Sequence, residues 1–445
     1  MLYDKVFENP EDFHFDVEVL GRPSVASPIT GRKFIPENEK VLFGDSQDRF
    51  VELLQAGRKL PAFEKAGPRE KIYHDPAWTR AAIVTCGGLC PGLNDVIKSI
   101  VETLYFSYGV RHIFGIRYGY EGLIPEFRHE PMMLDPDVVD KIHEDGGTVL
   151  GSSRGPQDVG RMCDTLERLN VNMLFCIGGD GTLRGAQAIA EEVTRRGQKT
   201  SVIGVPKTID NDLSFIGRSF GFETSVYSTS DVLTSAHMEA KGAMNGIGLV
   251  KLMGRDSGFI AAYASLANSV VNFCLIPEQP FSLDGERGLL RALECRFEQG
   301  KDHAVIVVAE GAGQELFKDI PEQRDASGNV LKSDIGTFLK ARINTHFKSR
   351  GISSTVKYFD PSYSIRSVPA FGTDAILCYG LAENAVHAAM AGKNNMVVGH
   401  NGLHFTHVPI EMATMERQKV DVEGALWNSV LSMTRQNDYF NGRCQ

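Results

Sequence analysis

The stretch Pro206-Lys207-Thr208-Ile209-Asp210-Asn211-Asp212 sets two carboxylates two residues apart, directly after the β-rich run Ser201–Val205. Carboxylates so spaced at a strand end have one common structural use, an Asx-rich turn that caps the next helix. Their chemical use is different: one can accept a hydroxyl proton while the other helps to hold a metal or orients the loop. A second stretch, Gly178-Gly179-Asp180-Gly181-Thr182, follows the apolar run Val171–Ile177 and precedes a helix-like run, AQAIAEEVTRRG. Glycines there let the backbone approach an anion, and the free amides and dipole of a following helix favour phosphate. Asp180 puts a carboxylate among those amides, which suits a magnesium ion bridging phosphate oxygens. A turn that merely caps a helix uses the same residue types. A third stretch, Thr85–Asn94 (TCGGLCPGLN), reads equally as a phosphate cradle or as a tight strand-to-helix turn.

Cations accompany these loops. Gly151-Ser152-Ser153-Arg154-Gly155 formally matches a nucleophile elbow, but Pro156 follows and no helix opens there. That argues against a serine hydrolase and for Arg154 as a phosphate-contacting side chain. Met253-Gly254-Arg255-Asp256-Ser257-Gly258 brings an arginine to another strand end, and Glu310-Gly311 brings a carboxylate to a further one. Lys357, Tyr363 and Arg366 fall within VKYFDPSYSIR, whose two cations could flank a phosphate. Singly, each could be a solvated charge; their shared position at loop ends is the argument.

The elements that must position these residues repeat one event. Short β-rich runs end in polar, glycine-containing loops at 81–85, 173–177, 201–205, 247–252, 271–276 and 304–309, with helical patterns between most of them. This is the rhythm of a doubly wound α/β protein, in which ligands sit at the carboxyl ends of the strands. Residues 334–350 and 375–392 read as helices, 319–332 as a polar loop, and 1–77 as an N-terminal extension without recognisable chemistry.

The 445 residues are enough for two domains, since single cores stop growing near ~250–300 residues. A net charge of −9 argues against a general binder of nucleic acid or of anionic membranes. No run approaches the ~18–20 apolar residues of a membrane span, and the acidic N-terminal stretch does not read as a signal peptide. The eight cysteines are scattered with no CxxC spacing, so reduced thiols in a cytoplasmic protein are expected.

Taken together, GGDGT, PKTIDND, GFETSV, MGRDSGF, the AEG loop and the Tyr-Ser-Ile-Arg run resemble the 6-phosphofructokinase family, in which they recur in this order. The resemblance spans roughly Ala81 to Arg366 and is nearest to the atypical ATP-dependent branch related to the pyrophosphate-dependent enzymes. It implies an α/β fold of two doubly wound, Rossmann-like domains with an N-terminal extension. The implied boundaries are 1–77 for the extension, 78–221 plus 365–417 for a nucleotide-binding domain, and 222–364 plus 418–445 for a sugar-phosphate-binding domain. It also implies a cytoplasmic glycolytic kinase, a homodimer or homotetramer, with ATP as donor and Mg²⁺ as cofactor. The reaction would phosphorylate the 1-hydroxyl of fructose 6-phosphate, giving fructose 1,6-bisphosphate.

Residue by residue, the resemblance implies that Gly87, Arg154, Gly179, Gly181, Thr182, Gly185 and Lys207 lie along the nucleotide, with Asp180 on magnesium. Asp210 would be the base, with Thr208 beside it, Asp212 in support and Arg255 steadying the transferring phosphoryl group. Thr208, Ile209, Asp210, Met253, Gly254, Arg255, Glu310, Lys357, Tyr363 and Arg366 would hold the sugar phosphate. Two departures bear on the donor and the assembly. Lys207 is typical of pyrophosphate users, whereas Gly181 is the ATP-type residue where that branch carries aspartate. The arginine that many bacterial members place before MGR has no match at Asn245 or Gly246. The alternatives are a pyrophosphate-dependent phosphofructokinase, a lipid or NAD kinase sharing GGDGT, and a non-catalytic regulatory subunit.

Overall fold

In the computed structural model, which describes residues 2–317 and 330–441, the strands fall into two main sheets and two short two-residue ladders. In chain order the main strands are β1 (Lys40–Leu42), β2 (Ala62–Lys65), β3 (Arg80–Thr85), β4 (His112–Ile116), β5 (Met132–Met133), β6 (Met173–Gly178) and β7 (Ser201–Pro206). They continue with β8 (Gly246–Leu252), β9 (Phe273–Leu275), β10 (His303–Ala309), β11 (Thr355–Phe359), β12 (Met396–Asn401) and β13 (His404–Pro409). The chain divides into two compact units. One comprises 1–208, 213–221 and 368–416; the other comprises 209–212, 222–367 and 417–445.

The first unit is built on the nine-stranded sheet, ordered β1-β2-β13-β12-β7-β6-β3-β4-β5. Its centre, β12-β7-β6-β3-β4, is parallel. Strands buried on both faces need continuous apolar side chains, and every residue of β6 and β7 is buried. From β3 the chain steps first to β4 and later to β6 on the opposite side. The strand order therefore reverses between β3 and β6, and a crevice for ligands opens at the carboxyl ends there. Register places Ile177 opposite Thr85 and Gly178 opposite Pro206, so the loops after β3, β6 and β7 leave the sheet side by side.

Residues 1–77 pack into the first unit and supply strands to its sheet. β1 and β2 extend the nine-stranded sheet, and the tilted rings of Phe15 and Phe63 lie 4.8 Å apart within an aromatic cluster that includes Phe43 and Phe215. Short strands with charged members, such as Ala62-Phe63-Glu64-Lys65, carry too little period-2 pattern to read as strands.

The second unit carries a four-stranded parallel sheet, ordered β9-β10-β8-β11. Leu252 lies opposite Ala309, so the loops that follow β8 and β10 emerge as neighbours. Helix Ile335–Ser349 begins where expected because the Asp334 carboxylate accepts from the N–H groups of Gly336 and Thr337. Helix Gly372–Met390 ends beside Gly392, at φ +78°. The polar loop expected at 319–332 lies outside the described residues up to 329. The reduced-thiol expectation holds at buried Cys86, Cys90, Cys163, Cys176, Cys274 and Cys378 but is corrected at Cys295, which is disulfide-bonded. Its separation from the other cysteines gave no spacing signal for that pairing.

Candidate active site

In the first unit the loops after β3, β6 and β7 converge. Helix Asp180–Arg195 starts inside GGDGT, six residues before the apolar run that marked it in the sequence. Gly179 is its extended N-cap, and Asp180, Gly181 and Thr182 form its first turn. An aspartate in that turn meets the positive end of the helix dipole. Its oxygens also accept from Arg184 Nε at 3.2 and 3.3 Å, one turn on. Gly181 is exposed, and a Cβ built on it meets nothing within 4 Å. Gly185 differs: a Cβ there would sit 2.6 Å from the Tyr120 ring, whose hydroxyl donates to the Thr182 carbonyl at 2.7 Å. Gly185 thus makes room for packing that steadies the first turn, and Thr182 is itself buried.

Lys207 is buried, and its ammonium donates to the Gly88 carbonyl at 2.6 Å. Gly87 has φ +87°, a conformation natural to glycine, and a Cβ on it would lie 3.3 Å from Lys207 Nζ. The Gly87 carbonyl accepts from Ser152 Oγ at 2.6 Å, and its N–H donates to the Ser153 carbonyl at 3.0 Å. This ties the loop bearing exposed Arg154 to the loop bearing Gly87. Backbone amides, one buried ammonium and one exposed guanidinium thus gather at three adjacent strand ends with the Asp180 carboxylate. Thr208 ends this unit's stretch, its carbonyl accepting from Ser219 Oγ at 2.8 Å.

In the second unit Ile209, Asp210, Asn211 and Asp212 meet the loops after β8 and β10. Asn211 adopts φ +50°, a left-handed turn that asparagine tolerates better than most side chains. Ser257 Oγ donates to the Asp210 carbonyl at 3.3 Å, and the Arg255 backbone N–H bonds the Asp210 carboxylate. Gly254, at φ +125°, lets the β8 loop fold so tightly that a Cβ would sit 2.5 Å from the Ser257 carbonyl. The Gly254 carbonyl in turn accepts from Gly311 at 3.1 Å, which locks Met253-Gly254-Arg255 against Glu310-Gly311.

Electrostatics single out Asp210. Burial, then the Asp212 carboxylate, then Glu310 make it a weaker acid and push its pKa well above the usual carboxylate range, to about 8, with Arg417 opposing. Glu310 is raised too, chiefly by burial, with Arg255 and Lys251 opposing. A carboxyl group held near neutrality in a polar loop cluster has the character of a general base. Arg255 Nη2 donates to the Val330 carbonyl at 2.8 Å.

The predicted sugar-phosphate residues are only partly gathered here. Lys357 stands within β11, exposed and 3.4 Å from Glu239. Tyr363 is exposed, with the Arg366 guanidinium 4.8 Å from its ring centroid. The cation at the β8 end is Lys251, 2.8 Å from Asp360 and 3.5 Å from Asp334. Lys251, Lys332 and Arg417 were not identified from sequence, because none is marked by a motif; Arg184 falls within the 181–185 stretch that the resemblance lays along the nucleotide, and its contact with Asp180 emerges only from the fold. Among the described residues no group of three or more His, Cys, Asp or Glu side chains is placed to hold a metal by itself. No helix among them is long and apolar enough to cross a membrane.

Comparisons with known proteins follow the same lines. A family model described as Phosphofructokinase matches residues 80–389. The chain is 48% identical over 443 residues to a Borreliella burgdorferi protein named ATP-dependent 6-phosphofructokinase, covering 96% of this chain and 97% of that protein. It is 45% identical over 423 residues to a Trypanosoma cruzi protein of the same name, covering 91% and 86%. A crystal structure of a pyrophosphate-dependent phosphofructokinase from Marinobacter aquaeolei shares the fold, with TM-score 0.65 and 21% identity over 80% of this chain and 91% of that one. The chain belongs to the phosphofructokinase family.

Proposed function

We propose that this protein is an ATP-dependent 6-phosphofructokinase, transferring the γ-phosphoryl group of ATP to the 1-hydroxyl of fructose 6-phosphate. The observation that carries the choice of donor is the open space at Gly181, where the first turn of a phosphate-binding helix faces outward. A nucleotide's α-phosphate needs that room. The near full-length relationship to proteins named ATP-dependent agrees. The first unit then serves the nucleotide, through Gly87, Arg154, Gly179, Gly181, Thr182 and Lys207. The second serves the sugar phosphate, through Ile209, Met253, Gly254, Glu310, Tyr363 and Arg366, with Lys357 released from Glu239.

Asp210 takes the proton of the 1-hydroxyl as its oxygen bonds to the γ-phosphorus. The bond from that phosphorus to the bridging oxygen breaks, and ADP leaves with the electron pair. Thr208 orients the hydroxyl, and Arg255 turns from the Val330 carbonyl to neutralise charge on the transferring group. In-line transfer of this kind asks mainly for positioning and charge neutralisation. The site fits magnesium: Asp180 offers hard oxygens at a helix N-terminus, and magnesium commonly takes one or two carboxylates, leaving its other positions to phosphates and water. Bound there, the ion would neutralise the β- and γ-phosphates. We place the enzyme in the cytoplasm, as a homodimer or homotetramer.

Pyrophosphate as donor is the second reading, favoured by the buried Lys207 ammonium against the Gly88 carbonyl. Arg366→Ala separates the sugar-phosphate assignment from a lipid- or NAD-kinase reading. It should raise the KM for fructose 6-phosphate at least about tenfold, the scale of a lost charge-assisted hydrogen bond, and leave the KM for ATP near normal. An unchanged sugar-phosphate KM would remove Arg366 from the site.

A further inference from the structure

The Asp210–Asp212 turn and the Arg255 loop come from distant points in the chain, so something must fix their register. In the second unit that is done from the C-terminal side. Arg417 Nη1 donates to Asp256 Oδ2 at 2.6 Å, while its Nε lies 3.8 Å from Asp212 Oδ2. The next residue, Gln418, donates its N–H to the Asp212 carbonyl at 2.8 Å. Val420 donates to Glu278 Oε1 at 2.8 Å, and the same oxygen accepts from Gly258 at 2.9 Å. Lys332 takes the other oxygen of Asp256 at 3.1 Å.

From this geometry we propose that Arg417 is a positioning residue, one side chain that pins the Asp210–Asp212 turn to the loop carrying Arg255. The role rests on the phosphofructokinase reading of that site. A planar guanidinium can engage two carboxylates on different loops at once; a lysine, as a point charge, engages one well. The charges facing Asp210 are Asp212 on its own turn, Glu310 after β10 and Arg417 from the C-terminal segment, with the Arg255 N–H bonded to it. Arg417 is the cation among them that opposes the two carboxylates.

The test uses full-length Arg417→Gln and Arg417→Lys, with kcat, both KM values and a pH profile, and with circular dichroism to confirm folding. Removing the guanidinium takes away the cation that opposes Asp212 and Glu310 at Asp210, so the Asp210 proton is held more tightly. The acid limb of kcat should move to higher pH by about one unit, and kcat at neutral pH should fall roughly tenfold. The KM for ATP should stay within about twofold, and Arg417→Lys should fall between wild type and Gln. Where the glutamine variant does not fold, the lysine variant carries the test through its kcat and acid limb. Wild-type kcat and acid limb in a folded variant would overturn the role, as would equal losses in both variants with the acid limb unmoved. An Asp210→Asn control separates the failures. Normal turnover in that control overturns the base assignment and this role with it, whereas an inactive control beside an unaffected Arg417→Gln overturns the role alone.

Discussion

Asp210→Asn should lower kcat roughly 10²–10⁴-fold, the usual worth of a general base, while the KM for fructose 6-phosphate stays within about threefold. Asparagine keeps the size and the hydrogen-bond acceptor that meets the Arg255 N–H, and it removes a carboxylate crowded by Asp212 and Glu310. The fold should therefore survive, since the substitution relieves like-charge repulsion without emptying space. The pH dependence follows from the same crowding. A base must be deprotonated to work, and burial with two neighbouring carboxylates raises the pH at which Asp210 gives up its proton. Wild-type turnover should then fall on acidification well above the ordinary carboxylate range. Steady-state rates across pH for wild type and variant check both statements. Near-normal turnover in Asp210→Asn removes Asp210 from its role.

Gly181→Asp should cut kcat/KM for ATP about 10²-fold and leave the KM for fructose 6-phosphate nearly unchanged. The protein itself offers no resistance: a Cβ at this position meets nothing within 4 Å, and its φ lies outside the left-handed region. An aspartate in the first turn of a helix is also favourably placed against the dipole. Its cost falls on the ligand. A carboxylate near the α-phosphate of a nucleotide fills the space and adds a like charge. Unit charges about 4 Å apart interact by about 1–4 kcal/mol near a protein surface, which brackets the expected loss. Pyrophosphate has no α-phosphate beyond the reacting pair and escapes this penalty. Circular dichroism with ATP and fructose 6-phosphate titrations reads the outcome, and unchanged ATP kinetics would sink the donor argument.

What the sequence made legible were features written locally. The strands at 80–85, 173–178, 201–206, 246–252 and 303–309 are short, mostly apolar β-rich runs, and the glycine-rich and acidic loops follow them directly. Asp210 beside Asp212 needed no long-range knowledge. The start of helix Asp180–Arg195 was set six residues late because Asp-Gly-Thr lacks apolar period. Those residues are helical because the N-cap and dipole favour them and Thr182 packs inward. The N-terminal strands were missed because they gain their stability from Phe63 packing against Phe15 and Phe215, contacts made across much of the chain. Arg417 was invisible for the same reason. Nothing in Met-Glu-Arg-Gln-Lys marks it, and its partners Asp212 and Asp256 lie far away in sequence. Lys357, matched by motif, stands in mid-strand against Glu239, which shows that a motif position fixes a residue's chain location before its reach.

The donor is the central claim, since Gly181 and Lys207 point in opposite directions. The direct measurement is the initial rate with fructose 6-phosphate and Mg²⁺, comparing ATP with pyrophosphate on the wild-type protein. Open space at Gly181 predicts turnover with ATP and little or none with pyrophosphate, Lys207 lying along the nucleotide while its ammonium tethers the Gly87–Gly88 loop through the Gly88 carbonyl. Turnover with pyrophosphate alone would mean that the buried Lys207 ammonium decides the donor, and would contradict the account.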